Sequence, residues 1–420
     1  MKSRNPWAWI PTLYFGQGIP YVVVMTLSVI MYKRMDISNT DIALYTSWLY
    51  LPWVIKPLWS PFVDMFRTKR FWIVTLQLLI GASLALVAFT IPMSNFFQMT
   101  LAVFWLMAFS SATHDIAADG FYMLALPQHQ QAAFVGVRST FYRIAMIMGQ
   151  GALVYLAGYL ETHVDSIATA WSITFFILAG LFIALFIYHK FILPVPVIDT
   201  PTIKNGNALK EFFSTFAAFF AKKDIFIILV FLLLFRFAEA QLIKLAAPFL
   251  LDSTTKGGLG LTTQDIGIIY GTVGILALTL GGLLGGYVIS QKGLKFWLWI
   301  MVLSVNVPDV VYVYLSMAMP SNLYIISTAV AIEQFGYGFG FTAYMLFMIM
   351  VSDGEHKTAH YAICTGFMAL GMMLPGMISG WIQEQIGYAN FFIWVCIATI
   401  PAFVVAALVK IDPEFGKKKV

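Results

Sequence analysis

The chain has 420 residues, 60% of them hydrophobic and 11% charged, with a mean hydropathy of +0.82. A water-soluble domain carries about 45–50% apolar and about 25% charged residues, so the excess here has to face lipid. That excludes a soluble enzyme, a secreted disulfide scaffold and a nucleic-acid binder. The net charge of +5 reflects orientation in a membrane rather than attraction to nucleic acid. Cys364 and Cys396 both lie in apolar runs and read as space-filling thiols.

A spanning helix needs about 20 residues. The hydropathy pattern predicts spans at 7–32, 42–63, 71–91, 100–126, 139–160, 168–189, 225–251, 265–290, 296–318, 324–351, 359–383 and 388–409. The expected fold is therefore all-α and integral to the membrane, with twelve transmembrane helices joined by short loops. The first span follows Lys2 and Arg4, but no A-x-A site ends it, so it is read as a retained helix rather than a signal peptide.

Even-numbered spans return the chain to the side of the N-terminus. Arg67, Lys69, Arg70, Arg138, Lys190, Lys204, Lys210, Lys222, Lys223, Lys292, Lys295, Lys357 and the C-terminal lysines fall on that side. The opposite side holds only Lys33, Arg34 and Lys256. By the positive-inside rule both termini are expected in the cytoplasm.

The chain divides near its middle into a six-helix half over 1–190, a linker over 191–224 and a second six-helix half over 225–420. The linker carries Pro194, Pro196 and Pro201, then an amphipathic stretch from Ala208 to Lys223 that reads as a helix on the membrane surface or as the cytoplasmic start of span seven. The halves echo each other weakly. Gly149, Gly158 and Arg70 find counterparts in Gly371, Gly380 and Lys292 at one constant offset, and Asp41-Ile42 finds Asp265-Ile266 at nearly the same one. Such pseudo-symmetry is the repeat logic of secondary transporters.

Span two ends in Lys56-Pro57-Leu58-Trp59-Ser60-Pro61-Phe62-Val63-Asp64, followed by Arg67, Lys69 and Arg70. Asp64 beside this basic cluster is placed to clasp a neighbouring helix end in one state and release it in another. Lys56, Asp64, Arg67 and Arg70 are thus the candidate gating residues. The pattern resembles the loop motif of the major facilitator superfamily.

A narrower resemblance rests on four stretches: Gly16-Gln17-Gly18-Ile19-Pro20; Leu51-Pro52 with the span-two ending; Ser111-Ala112-Thr113-His114-Asp115-Ile116-Ala117-Ala118-Asp119-Gly120-Phe121-Tyr122 with Tyr142-Arg143; and Glu333 with its glycines, continuing to Tyr361-Ala362 and Ser379-Gly380-Trp381. With these the chain resembles the branch of that superfamily that contains the muropeptide permeases and the acetyl-CoA transporters. The resemblance implies proton-coupled import of peptidoglycan breakdown fragments or related amino-sugar oligosaccharides across a bacterial inner membrane by a monomer. The other reading is a facilitator or a drug or metabolite exporter of the same superfamily.

The residues themselves point to coupling. A carboxylate at the bilayer centre costs about 2.5–3.5 kcal/mol, so Asp115 and Asp119 must face a watery cavity or a partner. Spaced i,i+4, they share a helix face, which suits a pair that holds a proton; the alternative is a structural pairing with Arg143 or Lys56. Arg236 and Glu239, i,i+3 in span seven, are expected to neutralise each other, and Lys244 to reach the outer aqueous side. Asp309 after Pro308, and Glu333-Gln334 before Gly336, Gly338 and Gly340, mark spans nine and ten, with span ten expected to bend.

Asp115, Asp119, Glu239 and Glu333 are therefore the proton-coupling candidates. Gln17, Tyr21, His114, Tyr122, Tyr142, Arg143, Arg236, Asp309 and Gln334 are the substrate-binding candidates. His114 reads equally well as a hydrogen-bonded packing residue, and His360 as interfacial. No G-x-x-x-x-G-K-[ST], G-x-S-x-G or H-E-x-x-H occurs, so no nucleotide-driven pump, serine hydrolase or zincin is expected, and no cofactor or metal. One proton crossing about 150 mV supplies roughly 3.5 kcal/mol, enough for about a 300-fold accumulation.

Overall fold

The computed structural model describes residues 4–196, 199, 208–354 and 357–417; for 61, 62, 64, 65, 128, 129, 131–133, 135, 208–212, 357 and 358 it describes the backbone alone. The described residues are helical throughout, joined by short turns, with no strand among them. Ten segments are long and apolar enough to cross a membrane on their own. One of these, Ala359–Leu408, holds two spans, because Gly387 takes φ +75° and breaks the helix there. A further span is divided into Asn39–Trp48 and Leu51–Phe66. Together they make the twelve expected spans.

In chain order, α1 is Pro6–Arg34. α2 is the divided pair Asn39–Trp48 and Leu51–Phe66, α3 is Lys69–Thr90 and α4 is Phe96–Ala125. α5 starts as Gln128–Ile147 and continues through a wide turn into Val154–Glu161, and α6 is Ile167–Ile192. The linker supplies α7, Ala208–Phe220. Spans seven to twelve are then α8, Ile225–Leu251; α9, Thr263–Lys292; α10, Leu294–Ala318; α11, Leu323–Val351; α12, over 357–386; and α13, over 388–408.

Local chemistry sets the breaks. Pro20 has no N–H to donate inside α1, and the helix widens into a π-turn over Val23–Leu27 just beyond it. Pro52 lies in the first turn of the second α2 piece, where a missing N–H leaves no helical bond unmade. In α10, Pro308 sits in a 3₁₀ turn, Val307–Asp309, that interrupts the helix at mid-span.

The chain packs as two compact units. The first comprises Met1–Met35 and Ile55–Leu209; the second, Asp36–Val54 and Lys210–Val420. The first piece of α2 thus packs with the second unit. There Asn39 Nδ2 donates to Gln383 Oε1 (2.6 Å) and to the Tyr388 hydroxyl (2.8 Å), and Thr40 donates to Glu384 through its N–H (3.0 Å) and Oγ1 (2.6 Å). Within the first unit, α1 and α5 pack so closely that a Cβ on Gly18 would lie 2.8 Å from that of Ala145.

Span ten corrects the expected bend. α11 is continuous from Leu323 to Val351. Its glycines serve packing instead. A Cβ on Gly338 would meet the Leu278 carbonyl of α9, and one on Gly336 or Gly340 the Ser304 or Met301 carbonyl of α10. α7 turns Phe219 into the core of the second unit beside Phe231 and Leu232. His360, expected at the interface, is buried against α7, its Nε2 lying 3.3 Å from the Thr215 carbonyl.

Candidate functional site

Each unit holds one cluster in which several buried or half-buried charged side chains meet. In the first, α4 carries Asp115 and Asp119 one turn apart, but each has its own cation. Lys56 Nζ, from α2, lies 3.9 Å from Asp115 Oδ2. Arg138 Nη2, from α5, donates to Asp119 Oδ1 at 2.7 Å, and the Tyr14 hydroxyl of α1 donates to the same oxygen at 3.3 Å. The guanidinium lies 4.4 Å from the Tyr14 ring centroid and 5.0 Å from that of Tyr122. The carboxylates therefore pair outward with two cations rather than with each other. The hydropathy pattern puts Arg138 in a loop; the structure makes it part of α5. Arg143, its rival for the aspartates, has a buried Nη1 with no hydrogen-bond partner.

His114 turns away from the aspartates into the bundle. Gln77 of α3 bridges it (Nε2 to Nε2, 3.2 Å) to His189 of α6 (Oε1 to Nδ1, 2.9 Å), and Thr12 Oγ1 closes the chain 2.9 Å from His189 Nε2. This buried network ties four helices together. Gln17 of α1 is buried, with an Oε1 that accepts no hydrogen bond. Tyr142 packs its backbone carbonyl against Gly18, and Tyr21 lies on the same helix as Gly18.

In the second unit, Glu239 of α8, Asp309 in the 3₁₀ turn of α10 and Glu333 of α11 each offer a carboxylate oxygen within 4.8 Å of the other two. All three are about 1% exposed. Both oxygens of Glu239, both of Asp309 and Oε1 of Glu333 have no hydrogen-bond partner; Glu333 Oε2 accepts from Gln334 Nε2 at 2.9 Å. The expected bond between Arg236 and Glu239 is absent. Instead, Arg236 donates to the Tyr337 hydroxyl and stacks on Tyr337 and Phe341, 5.1 and 4.8 Å from their centroids. Lys244 does not reach the outer aqueous side: it is buried, and its Nζ donates to Thr46 Oγ1 at 2.9 Å.

Of the gating candidates, Arg70 binds the end of α6 through the carbonyls of Lys190 and Leu193, and its N–H, like that of Lys69, donates to Asp199 in the linker. Arg67 lies over the Phe71 ring at 5.3 Å. Lys56 serves Asp115, and the side chain of Asp64 falls outside the described residues.

Residues 12–352 match the sequence model of the Major Facilitator Superfamily. The chain belongs to that superfamily. It is 24% identical over 414 residues to the anhydromuropeptide permease of Escherichia coli K12, a match covering 96% of this chain and 80% of the permease. Its fold is similar to that of the nucleoside transporter NupG, with a TM-score of 0.70 at 18% identity over 97% of this chain and 100% of that one. A POT family transporter in complex with 5-aminolevulinic acid gives a TM-score of 0.73, at 9% identity over 96% of each chain. The chain is thus a multi-pass membrane transporter of a small molecule, not an enzyme.

Arg138 and the Glu239–Asp309–Glu333 meeting point are what the sequence could not reveal. Each of these three acids is visible as a carboxylate in an apolar run, but nothing in the spacing between 239, 309 and 333 brings them together.

Proposed function

We propose that this transporter imports peptidoglycan-derived muropeptides or related amino-sugar oligosaccharides together with protons, by alternating access of its two six-helix halves, as a monomer. It lies in the bacterial cytoplasmic membrane with both termini in the cytoplasm, as its basic residues favour. The named permease, matched along nearly the whole chain, supports the substrate class. The observation that carries proton coupling is the meeting of the buried Glu239, Asp309 and Glu333 carboxylates within 4.8 Å of one another.

Three anions that share a single hydrogen-bond donor, Gln334 Nε2 on Glu333, and have no bonded cation among the described residues are too costly there. Protons are the smallest charge that neutralises them, and their release to one side of the membrane drives the cycle. Asp115 and Asp119, each beside a cation, provide a second set of exchangeable charges. Gln17, Tyr21, Tyr122, Tyr142, Arg143, Arg236 and Gln334 form the substrate-binding set, and Asp64 with Arg67 and Arg70 the cytoplasmic clasp.

The test is uptake of labelled anhydromuropeptide and amino-sugar disaccharides into proteoliposomes under an imposed pH gradient. Uphill uptake that follows the proton gradient supports the reading. The same oxygens suit a small cation, so uptake driven by sodium and indifferent to pH would transfer coupling to that ion. Counterflow indifferent to both gradients would make the protein a facilitator, and drug sensitivity on deletion an exporter.

A further inference from the structure

Asp119 and Arg138 form an ion pair unlike one that merely locks helices. Their side chains remain 41% and 28% exposed, in spans whose outer faces meet lipid. Asp119 lies within two turns of the C-terminal end of α4, and Arg138 at the start of the apolar stretch Gly136–Glu161 of α5; a charge exposed there costs far less against water than against hydrocarbon, which assigns this face to water. The pair is also single-pronged. Arg138 Nη2 donates to Asp119 Oδ1, and Asp119 is the one described side chain that accepts from it. Among the described residues no other acceptor meets the guanidinium fork.

The rings of Tyr14 and Tyr122 meet edge to face, 5.9 Å apart at 86°, and the guanidinium stacks against both. Tyr14 is itself buried and bonded to Asp119. An arginine held this way has already lost its rotamer freedom, so an incoming ligand need not immobilise it.

We propose that Arg138 is the receptor for a carboxylate of the substrate, and that Asp119 is its placeholder in the substrate-free protein. A substrate carboxylate takes the open fork in two parallel N–H···O bonds, and Asp119 yields to it. Exposed to water, Asp119 keeps its charge solvated after displacement. No bond beyond hydrogen bonds forms or breaks. Lys56 beside Asp115 does not duplicate this function: its ammonium is a point charge 3.9 Å away, without a planar fork or a ring clamp. The assignment rests on the muropeptide reading, because the sugar-peptide supplies the carboxylate.

The experiment measures equilibrium binding to the purified full-length protein of an anhydromuropeptide carrying free stem-peptide carboxylates, and of the same compound fully amidated. Wild type should prefer the free acid by roughly 10- to 100-fold, the worth of a charge-assisted pair of hydrogen bonds. Arg138→Gln and Arg138→Lys should erase most of that preference while leaving the amide's affinity within a few-fold. Asp119→Asn should tighten binding of the free acid, because it removes the competitor. Melting temperatures recorded alongside show that each variant is folded. If an Arg138 variant fails to fold, the Asp119→Asn result decides alone.

Preference for the free acid that survives in Arg138→Gln, or Asp119→Asn that weakens both compounds equally, would overturn the assignment while leaving the muropeptide reading intact. Failure of wild type to bind either compound would overturn that reading, and this assignment with it.

Discussion

Lys244 donates its one hydrogen bond among the described residues to the Thr46 hydroxyl, 2.9 Å away, with the Tyr50 ring 5.2 Å from its Nζ. The bond runs from α8 to the first piece of α2, the piece that packs with the second unit. Asn39 and Thr40 anchor the same piece to α12. A short stretch of polar bonds therefore holds residues 36–54 to helices far along the chain.

The Asn39 anchor should be measurable. Asn39→Ala removes two short buried bonds and leaves Gln383 Oε1 without a donor, at a cost of about 1–3 kcal/mol. The purified variant should melt several degrees lower. Gln383→Ala should do the same, and the double variant should lose less than the sum of the two. Strictly additive losses would show that the two amides do not act through one bond.

Neutralising the buried acids should separate coupling from binding. Glu239→Gln, Asp309→Asn and Glu333→Gln each imitate a permanently protonated member of the cluster. Each should retain substrate exchange across proteoliposomes, because exchange moves no net proton, and each should lose uphill uptake. Normal uphill uptake in all three would remove the cluster from the coupling mechanism.

Asp115→Asn should behave differently, because it strands Lys56. The pair is partly exposed, so the loss should fall between the ~1 kcal/mol of a surface pair and the ~3–5 kcal/mol of a broken buried one. Lys56→Met in the same chain should recover most of it. Thermal unfolding of the two single variants and the double one checks this, and a double variant as unstable as Asp115→Asn would contradict the pairing.

Gly338→Ala should be among the most damaging of the conservative changes. The added methyl group would press on the Leu278 carbonyl of α9, which cannot move without shifting the helix. Overpacking of this kind costs about 1–3 kcal/mol or more. Yield of monodisperse protein in size-exclusion chromatography should fall sharply. Gly286→Ala, where the methyl group meets open space, should leave it unchanged.

The sequence by itself determined the span count, the superfamily and the presence of costly charges inside the membrane. These are legible because hydropathy over about 20 residues and the presence of a charge are local properties. Pro308 is local too, and α10 breaks where it lies; the break at Gly387 between the last two spans shows only in the backbone conformation. The chain's glycines misled once, in span ten, because the same residue serves a bend or a close helix contact and only the neighbour decides.

Partner choice depended on the tertiary structure. Asp119 takes Arg138 rather than Arg143, Glu239 meets Asp309 and Glu333 rather than Arg236, and Lys244 meets Thr46 rather than water. Each outcome depends on how one helix is rotated against another. Packing of side chains along the whole interface sets that rotation, and no single spacing along the chain encodes it.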